Sequence, residues 1–397
     1  MSAPLAFERC ACPLCGSLED GAVVGTRGRF GMSVRNVVCP TCALVYVNPR
    51  PGREAMAEYY AREYRPHFEA GGVGYLSASG QAVAPGEAAF DAQKEAWHQN
   101  QAETAFLLGE LRPGSRVLEI GCRHARTLAI QRERFAILPF GIEPDLNEAA
   151  AARRAGVDCF AGVLEDFEPG ELRFDAIQLF HVLEHLHDPL GALLRLRGWL
   201  APAGRLIVEV PNVHQPYGSL EGNFFQNAHL TSLSADTLAA LLARAGLRPR
   251  HVFDQEVLFV VAEPDPEAGQ APRAFSRAMW LDPSHEPEWV TARLRSYGEL
   301  FDLTERIRRG ELSFDGVDRA QELLEGPCFT GFALDALGRL TEHLAAQGAP
   351  RTALELTRSF ARGAYPDDAR EVVALLASEL ALLVAEHDRA LRVAHAG

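Results

Sequence analysis

The chain has 397 residues, of which 47% are hydrophobic and 23% charged, with a formal net charge of −14 at pH 7. This balance is typical of a folded protein, and the length exceeds what one hydrophobic core usually serves. A negatively charged surface disfavours nucleic acid as a partner, and no run approaches the roughly 20 apolar residues that span a membrane. Because the N-terminus also lacks a targeting pattern, we expect a cytoplasmic location.

Residues 1–51 are predicted to form a zinc ribbon. They contain two C-x-x-C pairs on either side of a stretch without helical periodicity, Cys12 with Cys15 and Cys39 with Cys42. Four thiolates from two tight turns can close a tetrahedron around Zn²⁺, and a closed site supports a fold rather than catalysis. Cys10 is interpreted as a free thiol, although its sulfur could compete as a ligand. The alternative for the paired cysteines is that they stay reduced without a metal.

Two helices are predicted within residues 52–112. The stretches "AMAEYYAREYRPHF" and "QKEAWHQNQAETAFLLGEL" repeat their apolar residues at about helical spacing. The Gly-, Ser- and Pro-containing stretch between them predicts a mobile connector. We therefore expect this part of the chain to form a helical connector or lid.

Residues 113–265 alternate short apolar runs with helical stretches. The runs are "RVLEI", "PFGIE", "VDCFAG", "FDAIQLF", "GRLIVEV" and "RPRHVFDQEVLFVVAE", the last of which contains the final strand, "EVLFVVAE". Such alternation predicts an α/β fold with a Rossmann-like, doubly wound and mostly parallel sheet. The stretch "PDPEAGQAP" that follows is interpreted as a linker.

Residues 266–397 are rich in Ala, Leu, Arg and Glu at helical spacing and are predicted to form an all-helical domain. One stretch, "ALDALGRLTEHLAAQGAPRTALELTRSFARGAYPDD", has the layout of a single helix-turn-helix repeat. Because solenoids need several stacked units, a plain helical bundle is the preferred interpretation. This domain is the candidate surface for a protein partner or for self-association.

The residues that indicate chemistry lie in the predicted sheet. Glu119 and Gly121 end the first strand, Glu143 stands at the tip of the second, and His181 follows the run that ends at Phe180. Ligands of open α/β sheets bind at the carboxyl edge, and an acid about 20 residues after a glycine turn is placed to accept ribose hydroxyls. The order of these residues predicts a nucleotide-binding site.

The motifs "VLEIGC", "GIEP", "GVLEDF", "FDAIQLFHVLEHLHDP", "GRLIVEVPN" and "NAHLTSLSADTLAALLARAGL" together resemble the class I S-adenosylmethionine-dependent methyltransferases. The resemblance covers about residues 113–263. It is closest to a bacterial branch that modifies sugars and other small metabolites, in which a zinc ribbon ending like "CALVYVNPRP" precedes the sheet. It implies a domain that binds S-adenosylmethionine and transfers its methyl group.

The resemblance also implies which residues contact the cofactor. The implied contacts are Glu119, Gly121, Cys122, Arg123, Glu143, Leu164, Glu165, His181 and Leu183. Glu119 and Gly121 would underlie the methionine part, and Glu143 would bind the ribose. Leu164 and Glu165 would adjoin the adenine. The last two residues of the set would lie beside the sulfonium.

The turn after the first strand departs from the family pattern. The family commonly has acid-x-Gly-x-Gly-x-Gly there, whereas this chain keeps only Gly121 and has Arg123 and Ala125 at the later positions. The Arg123 guanidinium could pair with the carboxylate of the cofactor's methionine part. Alternatively, its bulk fills the space and the domain is not catalytic. The first interpretation is preferred, because Glu143 and "HVLEH" would have little reason to persist in an inactive site.

His229 and His181 are the candidate catalytic residues. Both are predicted at the carboxyl edge of the sheet, and histidine suits proton transfer because its pKa lies near working pH. His181 also stands four residues before His185, a spacing that can chelate a metal on one helix face, but ordinary polar contacts at a helix start are preferred. A purely structural role for His229 is an equal alternative.

The predicted function is methyl transfer to a small-molecule acceptor, at a hydroxyl or carbon of a sugar or related metabolite. Oxygen is favoured, because the C-methylating members of the branch carry a further α/β domain where this chain has helices. Two alternatives remain. One is an RNA base methyltransferase that recognises RNA through its zinc ribbon, and the other is a scaffold protein that binds the cofactor without turnover.

Overall fold

The computed structural model describes residues 6–62, 75–76, 82–83, 88–282, 284–309, 314–328, 330–347, 349–363, 365 and 367–394. Its strands are β1 (Phe7–Glu8), β2 (Ala22–Arg27), β3 (Ser33–Val38), β4 (Val45–Val47), β5 (Arg50–Pro51), β6 (Tyr75–Leu76), β7 (Ala82–Val83), β8 (Arg116–Ile120), β9 (Leu138–Glu143), β10 (Asp158–Ala161), β11 (Phe174–Phe180), β12 (Leu200–Pro211), β13 (Thr231–Ser232), β14 (Leu247–Asp254) and β15 (Val257–Pro264). Most of the predicted mobile connector lies outside the described residues.

The helices of the described chain begin with two that precede the central sheet and end with five that follow it. They are α1 (Arg53–Arg62), α2 (Ala88–Leu108), α3 (Arg126–Phe135), α4 (Leu146–Arg154), α5 (Pro189–Trp199), α6 (Ala235–Arg244), α7 (Pro287–Arg308), α8 (Phe314–Glu325), α9 (Thr330–Ala346), α10 (Pro350–Arg362) and α11 (Asp367–Ala394). The two helices predicted in residues 52–112 are α1 and α2. Within the described parts of the chain, we find no helix that combines the length and apolar character needed to cross a membrane.

A seven-stranded sheet forms the centre of the molecule, in the order β10-β9-β8-β11-β12-β15-β14. The first five of these strands run parallel, and β15 is antiparallel to both of its neighbours. The aliphatic side chains of β8 and β11 are buried, as the uninterrupted apolar runs predict for strands in the middle of a parallel sheet. The predicted α/β class with a doubly wound, mostly parallel sheet is therefore confirmed.

The last predicted strand run, "RPRHVFDQEVLFVVAE", forms two strands rather than one. β14 and β15 pair antiparallel, with Asp254 opposite Leu258, so the chain reverses at Gln255 and Glu256. The final strand, "EVLFVVAE", is β15, which lies between β12 and β14. The apolar pattern does not reveal the hairpin, because β14 (LRPRHVFD) is mostly polar and only partly buried, unlike β15.

The N-terminal ribbon shares a sheet with the segment that follows the central strand β12. β2, β3 and β4 pair antiparallel, and β13 adds to the edge of β4 with Thr231 opposite Tyr46. We call residues 212–234 the bridging segment. It also meets β2, where a Cβ on Gly25 would lie 2.7 Å from the Phe225 ring, so glycine is required there. The ribbon and the bridging segment are thus joined by one sheet.

The C-terminal region is helical, as predicted. The helices α7 to α11 contribute to a separate apolar core that includes Leu337 and Phe360. α7 packs against β2 and β3, and the buried Tyr297 hydroxyl donates a hydrogen bond to the Pro216 carbonyl at 3.1 Å. The predicted helix-turn-helix unit corresponds to α9 and α10. The helical region therefore contacts both the ribbon and the bridging segment.

Candidate functional site

The carboxyl edge of the parallel strands brings together most of the predicted site residues. β8 ends at Ile120, β9 at Glu143 and β11 at Phe180. The loops that leave these strands meet over one edge of the sheet, and α2 packs against α3 beside them.

Glu143 connects two of these loops. Its Oε2 accepts a hydrogen bond from the backbone N–H of Arg123 at 2.8 Å, and its Oε1 accepts one from the N–H of Asp145 at 2.8 Å. The residue is buried, and burial raises its pKa although the two N–H donors oppose the shift. A carboxylate offers about four lone-pair positions, so about two remain for other donors.

Glu119 lies under the same edge, inside the sheet. Its Oε2 accepts a hydrogen bond from the Gln178 side-chain amide at 2.8 Å. Burial raises the pKa of Glu119 to about 8, and the charges of Glu143 and Glu209 add to the shift while the Gln178 amide opposes it. At pH 7 this carboxyl group is therefore mostly neutral and can donate a hydrogen bond as well as accept one.

The turn that replaces the glycine-rich loop uses left-handed backbone at two non-glycine residues. The φ angle is +68° at Gly121, +51° at Arg123 and +58° at Ala125. A Cβ at Gly121 would lie 2.8 Å from Val182 Cγ2, so glycine is required there. The Arg123 side chain is 58% exposed, with its guanidinium 3.7 Å from the Glu148 carboxylate. Its bulk therefore lies mostly in solvent rather than inside the turn.

Cys122 points into the protein below this turn. Its Sγ lies 3.8 Å from Cys159 Sγ of β10. It reaches that position over Gly141 of β9, where a Cβ would lie 2.5 Å from the sulfur. The thiol is buried and packs under the turn, so a cofactor contact from this residue would come from its backbone.

The predicted adenine neighbours lie in a 3₁₀ turn after β10, Leu164–Asp166. Leu164 is buried, whereas Glu165 is on the surface and pairs with Arg53 of α1 at 3.1 Å. Gly162, which lies between β10 and this turn, donates its N–H to the Glu143 carbonyl at 3.0 Å. The predicted ribose and adenine residues therefore lie on adjacent loops.

His181 lies between two buried carboxylates. Its Nε2 is 3.2 Å from Glu209 Oε1, its Nδ1 is 3.5 Å from Glu184 Oε1, and the Trp97 ring of α2 meets the imidazole edge-on. Burial lowers the pKa of His181, but the two carboxylates outweigh burial and raise it to about 10. A histidine that remains protonated at pH 7 is a poor proton acceptor. The neighbouring Leu183 is fully buried.

Glu184 lies at the centre of a group of histidines. Its Oε1 is 3.9 Å from His185 Nε2 and 4.0 Å from His229 Nε2. Neither carboxylate oxygen has a hydrogen-bond partner among the described residues, although Glu184 is only 1% exposed. Burial acts to raise the pKa of Glu184, but the neighbouring histidines lower it to about 2. We call Glu184, His185 and His229 the Glu184 cluster.

His181 and His185 do not share a helix face, contrary to the spacing considered in the sequence. His181 has a φ of +54° and precedes a short 3₁₀ turn, Leu183–His185. The ring of His185 lies instead beside that of His229, with centroids 4.8 Å apart, and its Nδ1 donates to the Ala228 carbonyl at 2.9 Å. The partner of His185 therefore comes from the bridging segment.

His229 is buried, and the side-chain amide nitrogen of Gln226 lies 2.7 Å from its Nε2. Burial holds the pKa of His229 well below its ordinary value, and the nearby His185 contributes to the shift. The imidazole is therefore neutral at pH 7, which is the form that accepts a proton or binds a metal. The two candidate catalytic histidines thus differ in charge at pH 7: His181 is protonated and His229 is neutral.

A second group of similar residues, not identified from the sequence, lies where the bridging segment meets the helical region. We call Asp236, His214 and His285 the Asp236 cluster, and their candidate ligand atoms lie within 4.8 Å of one another. Asp236 Oδ2 accepts a hydrogen bond from His285 Nδ1 at 2.6 Å, and Oδ1 accepts one from the N–H of Asp282 at 2.8 Å. Both carboxylate oxygens are thus bonded.

The two C-x-x-C pairs come together, as predicted. The sulfurs of Cys12, Cys15, Cys39 and Cys42 lie within 4.8 Å of one another. The Sγ–Sγ distance is 3.5 Å both for Cys12 with Cys42 and for Cys15 with Cys39. Sulfurs bound at about 2.3 Å to a tetrahedral zinc lie about 3.8 Å apart, so the four thiols can hold such an ion after a small adjustment.

Comparison with known protein families finds one match in the centre of the chain. Residues 92–252 match the model of a family described as a methyltransferase domain. The match begins in α2, ends in β14 and includes the carboxyl-edge loops and the bridging segment. It supports the resemblance found in the sequence.

One curated relative is a tRNA U34 carboxymethyltransferase from Methylococcus capsulatus, 33% identical over 153 residues. The alignment covers 36% of this chain and 47% of that protein. The chain therefore spans about half the length of this relative.

Two solved structures are also matched, at lower identity. One is the 1,6-didemethyltoxoflavin-N1-methyltransferase of Burkholderia thailandensis with bound S-adenosylhomocysteine, 17% identical, with a TM-score of 0.42 and 60% of this chain and 99% of that chain covered. The other is the CcbJ methyltransferase of Streptomyces caelestis, 16% identical, with a TM-score of 0.35 and 42% and 90% covered.

Proposed function

We propose that the protein transfers the methyl group of S-adenosylmethionine to a small-molecule acceptor. The observation that carries the proposal is the family match over residues 92–252, inside which Glu143 stands at the tip of β9 beside the β8 turn. An acid at the end of the second strand of such a sheet is placed to accept ribose hydroxyls.

The described residues fit this cofactor. Glu143 keeps about two lone-pair positions after its two backbone bonds. Leu164 offers an apolar side chain on the adjacent loop, and the exposed guanidinium of Arg123 can pair with a carboxylate. When bound, S-adenosylmethionine supplies an electrophilic methyl group on a positively charged sulfur.

His181 and His229 are proposed to lie beside the reacting atoms. His181 is held between Glu184 and Glu209 and stays charged, so it orients its neighbours rather than accepting a proton. His229 is neutral and can interact with a hydroxyl group. A hydroxyl of a sugar or related metabolite is therefore the proposed acceptor, with carbon as the less favoured alternative.

The proposal is tested by incubating the full chain with S-adenosylmethionine labelled in its methyl group and with fractionated metabolites from the source organism. We expect one small-molecule fraction to become labelled. Calorimetry with the unlabelled cofactor should also detect binding. Absence of binding at millimolar cofactor would contradict the proposal, and tight binding without methyl transfer to any fraction would favour a scaffold protein.

We also propose that the four-cysteine cluster binds one structural zinc ion. The donor set of four sulfurs and their spacing support this metal. Purified protein should contain about one zinc per chain, and Cys12→Ser combined with Cys42→Ser should lose both the metal and solubility. Full zinc occupancy in the double variant would rule the site out.

A tRNA substrate is the second candidate. The one observation that favours it is the similarity to a tRNA-modifying enzyme over 153 residues. Against it, the chain has 53 acidic residues and 39 Lys and Arg residues, a poor balance for binding phosphates. A tRNA-binding constant that falls steeply with salt, together with labelling of tRNA, would establish this alternative over the small molecule.

A further inference from the structure

We propose that the Glu184 cluster binds one divalent metal ion through Glu184, His185 and His229. The site is separate from the four-cysteine cluster. It also goes beyond the proposed function. Methyl transfer from S-adenosylmethionine does not itself require a metal, because the sulfonium already activates the methyl group.

The side chains of the cluster supply a suitable donor set. One carboxylate oxygen and two imidazole nitrogens favour ions such as Mn²⁺, Fe²⁺ or Zn²⁺. The three candidate ligand atoms lie within 4.8 Å of one another, and Glu184 Oε1 is 3.9 Å and 4.0 Å from the two Nε2 atoms. Ligands about 2.1 Å from a shared ion lie about 3 to 3.5 Å apart. A side-chain movement of less than about 1 Å would therefore close the site.

The buried carboxylate is the observation that points to a ligand. Neither oxygen of Glu184 has a hydrogen-bond partner among the described residues, and the side chain is only 2% exposed. Buried charges in proteins are normally hydrogen-bonded, paired closely or bound to a metal. The nearest histidine nitrogen is that of His181, at 3.5 Å, which is beyond good hydrogen-bond distance for a charged pair. A metal cation bound among these residues would give the Glu184 carboxylate the close partner that it lacks.

His185 is oriented as a metal ligand. Its Nδ1 donates to the Ala228 carbonyl at 2.9 Å, which leaves the lone pair on Nε2, the nitrogen nearest to Glu184. A ligating histidine almost always donates its other N–H to a carbonyl or carboxylate in this way. His229 Nε2 is 2.7 Å from the Gln226 amide nitrogen, so metal binding would replace that hydrogen bond.

The position of the cluster suggests what the ion does. It lies next to His181, which is predicted beside the reacting sulfonium, and three protein ligands leave open positions on the ion. The ion would therefore bind and orient the oxygen of a hydroxyl acceptor, with His229 as a ligand in place of a proton acceptor. This role rests on the proposed function, whereas metal binding itself does not.

The test uses Mn²⁺, because thiolate sites prefer softer ions and the zinc proposed for the cysteines should stay in place. The full chain as purified is titrated with Mn²⁺ without cofactor, and free ion is measured from its electron paramagnetic resonance signal. The variants are Glu184→Gln and His229→Ala, and the matched control is His285→Ala from the Asp236 cluster. Circular dichroism checks that each variant is folded.

We expect the wild-type chain and His285→Ala to bind one Mn²⁺, and Glu184→Gln and His229→Ala to bind it at least about 10-fold more weakly. Electron spin echo modulation of bound Mn²⁺ should show two histidine nitrogens in the wild type and one in His229→Ala. Absence of binding by the folded wild type, or equal binding by Glu184→Gln, would overturn the proposal. Loss of Mn²⁺ in His285→Ala alone would do the same, since it would place the ion elsewhere. These results do not depend on cofactor binding or methyl transfer, so they fail or succeed separately from the proposed function.

Discussion

The Glu184 cluster and the Asp236 cluster contain the same residue types, one carboxylate and two histidines, but they differ in how the carboxylate is bonded. Both oxygens of Asp236 accept hydrogen bonds, from His285 Nδ1 at 2.6 Å and from the N–H of Asp282 at 2.8 Å. Neither oxygen of Glu184 has such a partner among the described residues. Residue types alone therefore do not identify a ligand site. The hydrogen bonds of the buried carboxylate do distinguish the two clusters: Asp236 is already fully bonded within the protein, whereas Glu184 can still accept a ligand.

The location of the two clusters agrees with this difference. Asp236 stands in the first turn of α6, and its partners Asp282 and His285 precede α7, so the bonds join the central domain to the helical region. Glu184 faces His181 at the carboxyl edge of the sheet. We therefore interpret the Asp236 cluster as structural and the Glu184 cluster as functional.

The largest expected effect is on turnover. His229→Ala should lower the methyl-transfer rate by about 10²- to 10⁴-fold, because a group positioned at the reacting atoms, whether it accepts a proton or holds the acceptor, contributes on that scale. His285→Ala, the matched change in the other cluster, should leave the rate of the folded enzyme within a small factor of the wild type. Both rates are measured with the acceptor that the labelling experiment identifies. Equal losses in the two variants would remove the functional distinction between the clusters.

The next effect is on stability. Asp236→Asn should lower the free energy of unfolding by about 2 to 4 kcal/mol, because the amide replaces a charged acceptor of two buried hydrogen bonds. Glu184→Gln should cost less than Asp236→Asn, because it removes the ion pair with His181 at 3.5 Å but no hydrogen bond from the described residues. Urea unfolding of the two variants, both isosteric amide substitutions, gives the comparison directly. A larger loss for Glu184→Gln would show that this carboxylate is a main structural contact.

The fold was largely predictable because its signals are local. The runs from "RVLEI" to "GRLIVEV" became the parallel strands, and each C-x-x-C pair is short enough to define its own turn. Glu143 was also predictable, since the end of an apolar run fixes its position at the tip of β9.

The two clusters were not predictable because they depend on distant contacts. Glu184 meets His229 only because the bridging segment folds back and pairs β13 with β4 of the ribbon. The spacing of His181 and His185 suggested a helix face, but the left-handed backbone at His181 prevents one. Glu209, in "LIVEVP", could have been identified from the sequence as a candidate site residue, because an acid within a buried strand needs a partner.

Glu143 tests the comparison of Glu184 with Asp236 from another side. Both of its oxygens accept hydrogen bonds from backbone N–H groups, as those of Asp236 do, and yet we propose that it binds ribose. Glu143→Ala should weaken S-adenosylmethionine binding by about 1.5 to 3 kcal/mol, the scale of hydrogen bonds to a charged acceptor. Calorimetry measures the dissociation constant, and Glu168→Gln, an exposed acid paired with Arg195 at 2.8 Å, is the control. An unchanged dissociation constant for Glu143→Ala would mean that this carboxylate, like that of Asp236, is only a structural contact.

The smallest expected effect concerns Glu119, a buried acid of a third kind that has one hydrogen bond from Gln178 and a raised pKa. Burial raises the pKa of Glu119 from its ordinary value of 4.5 to about 8. Between these values the folded state keeps a proton that the unfolded state releases, so the contribution of this group to stability is complete below pH 4.5 and is lost as the pH rises through 8. Over one pH unit near pH 6 to 7, the free energy of unfolding should therefore fall by roughly 1 kcal/mol more in the wild type than in Glu119→Gln, which has no such proton. Urea unfolding of both proteins at several pH values measures the difference, in which the contributions of the other titrating groups cancel. Parallel pH curves would mean that Glu119 is ionised in the folded state, as Glu184 is, and that burial alone does not distinguish the acids at this edge.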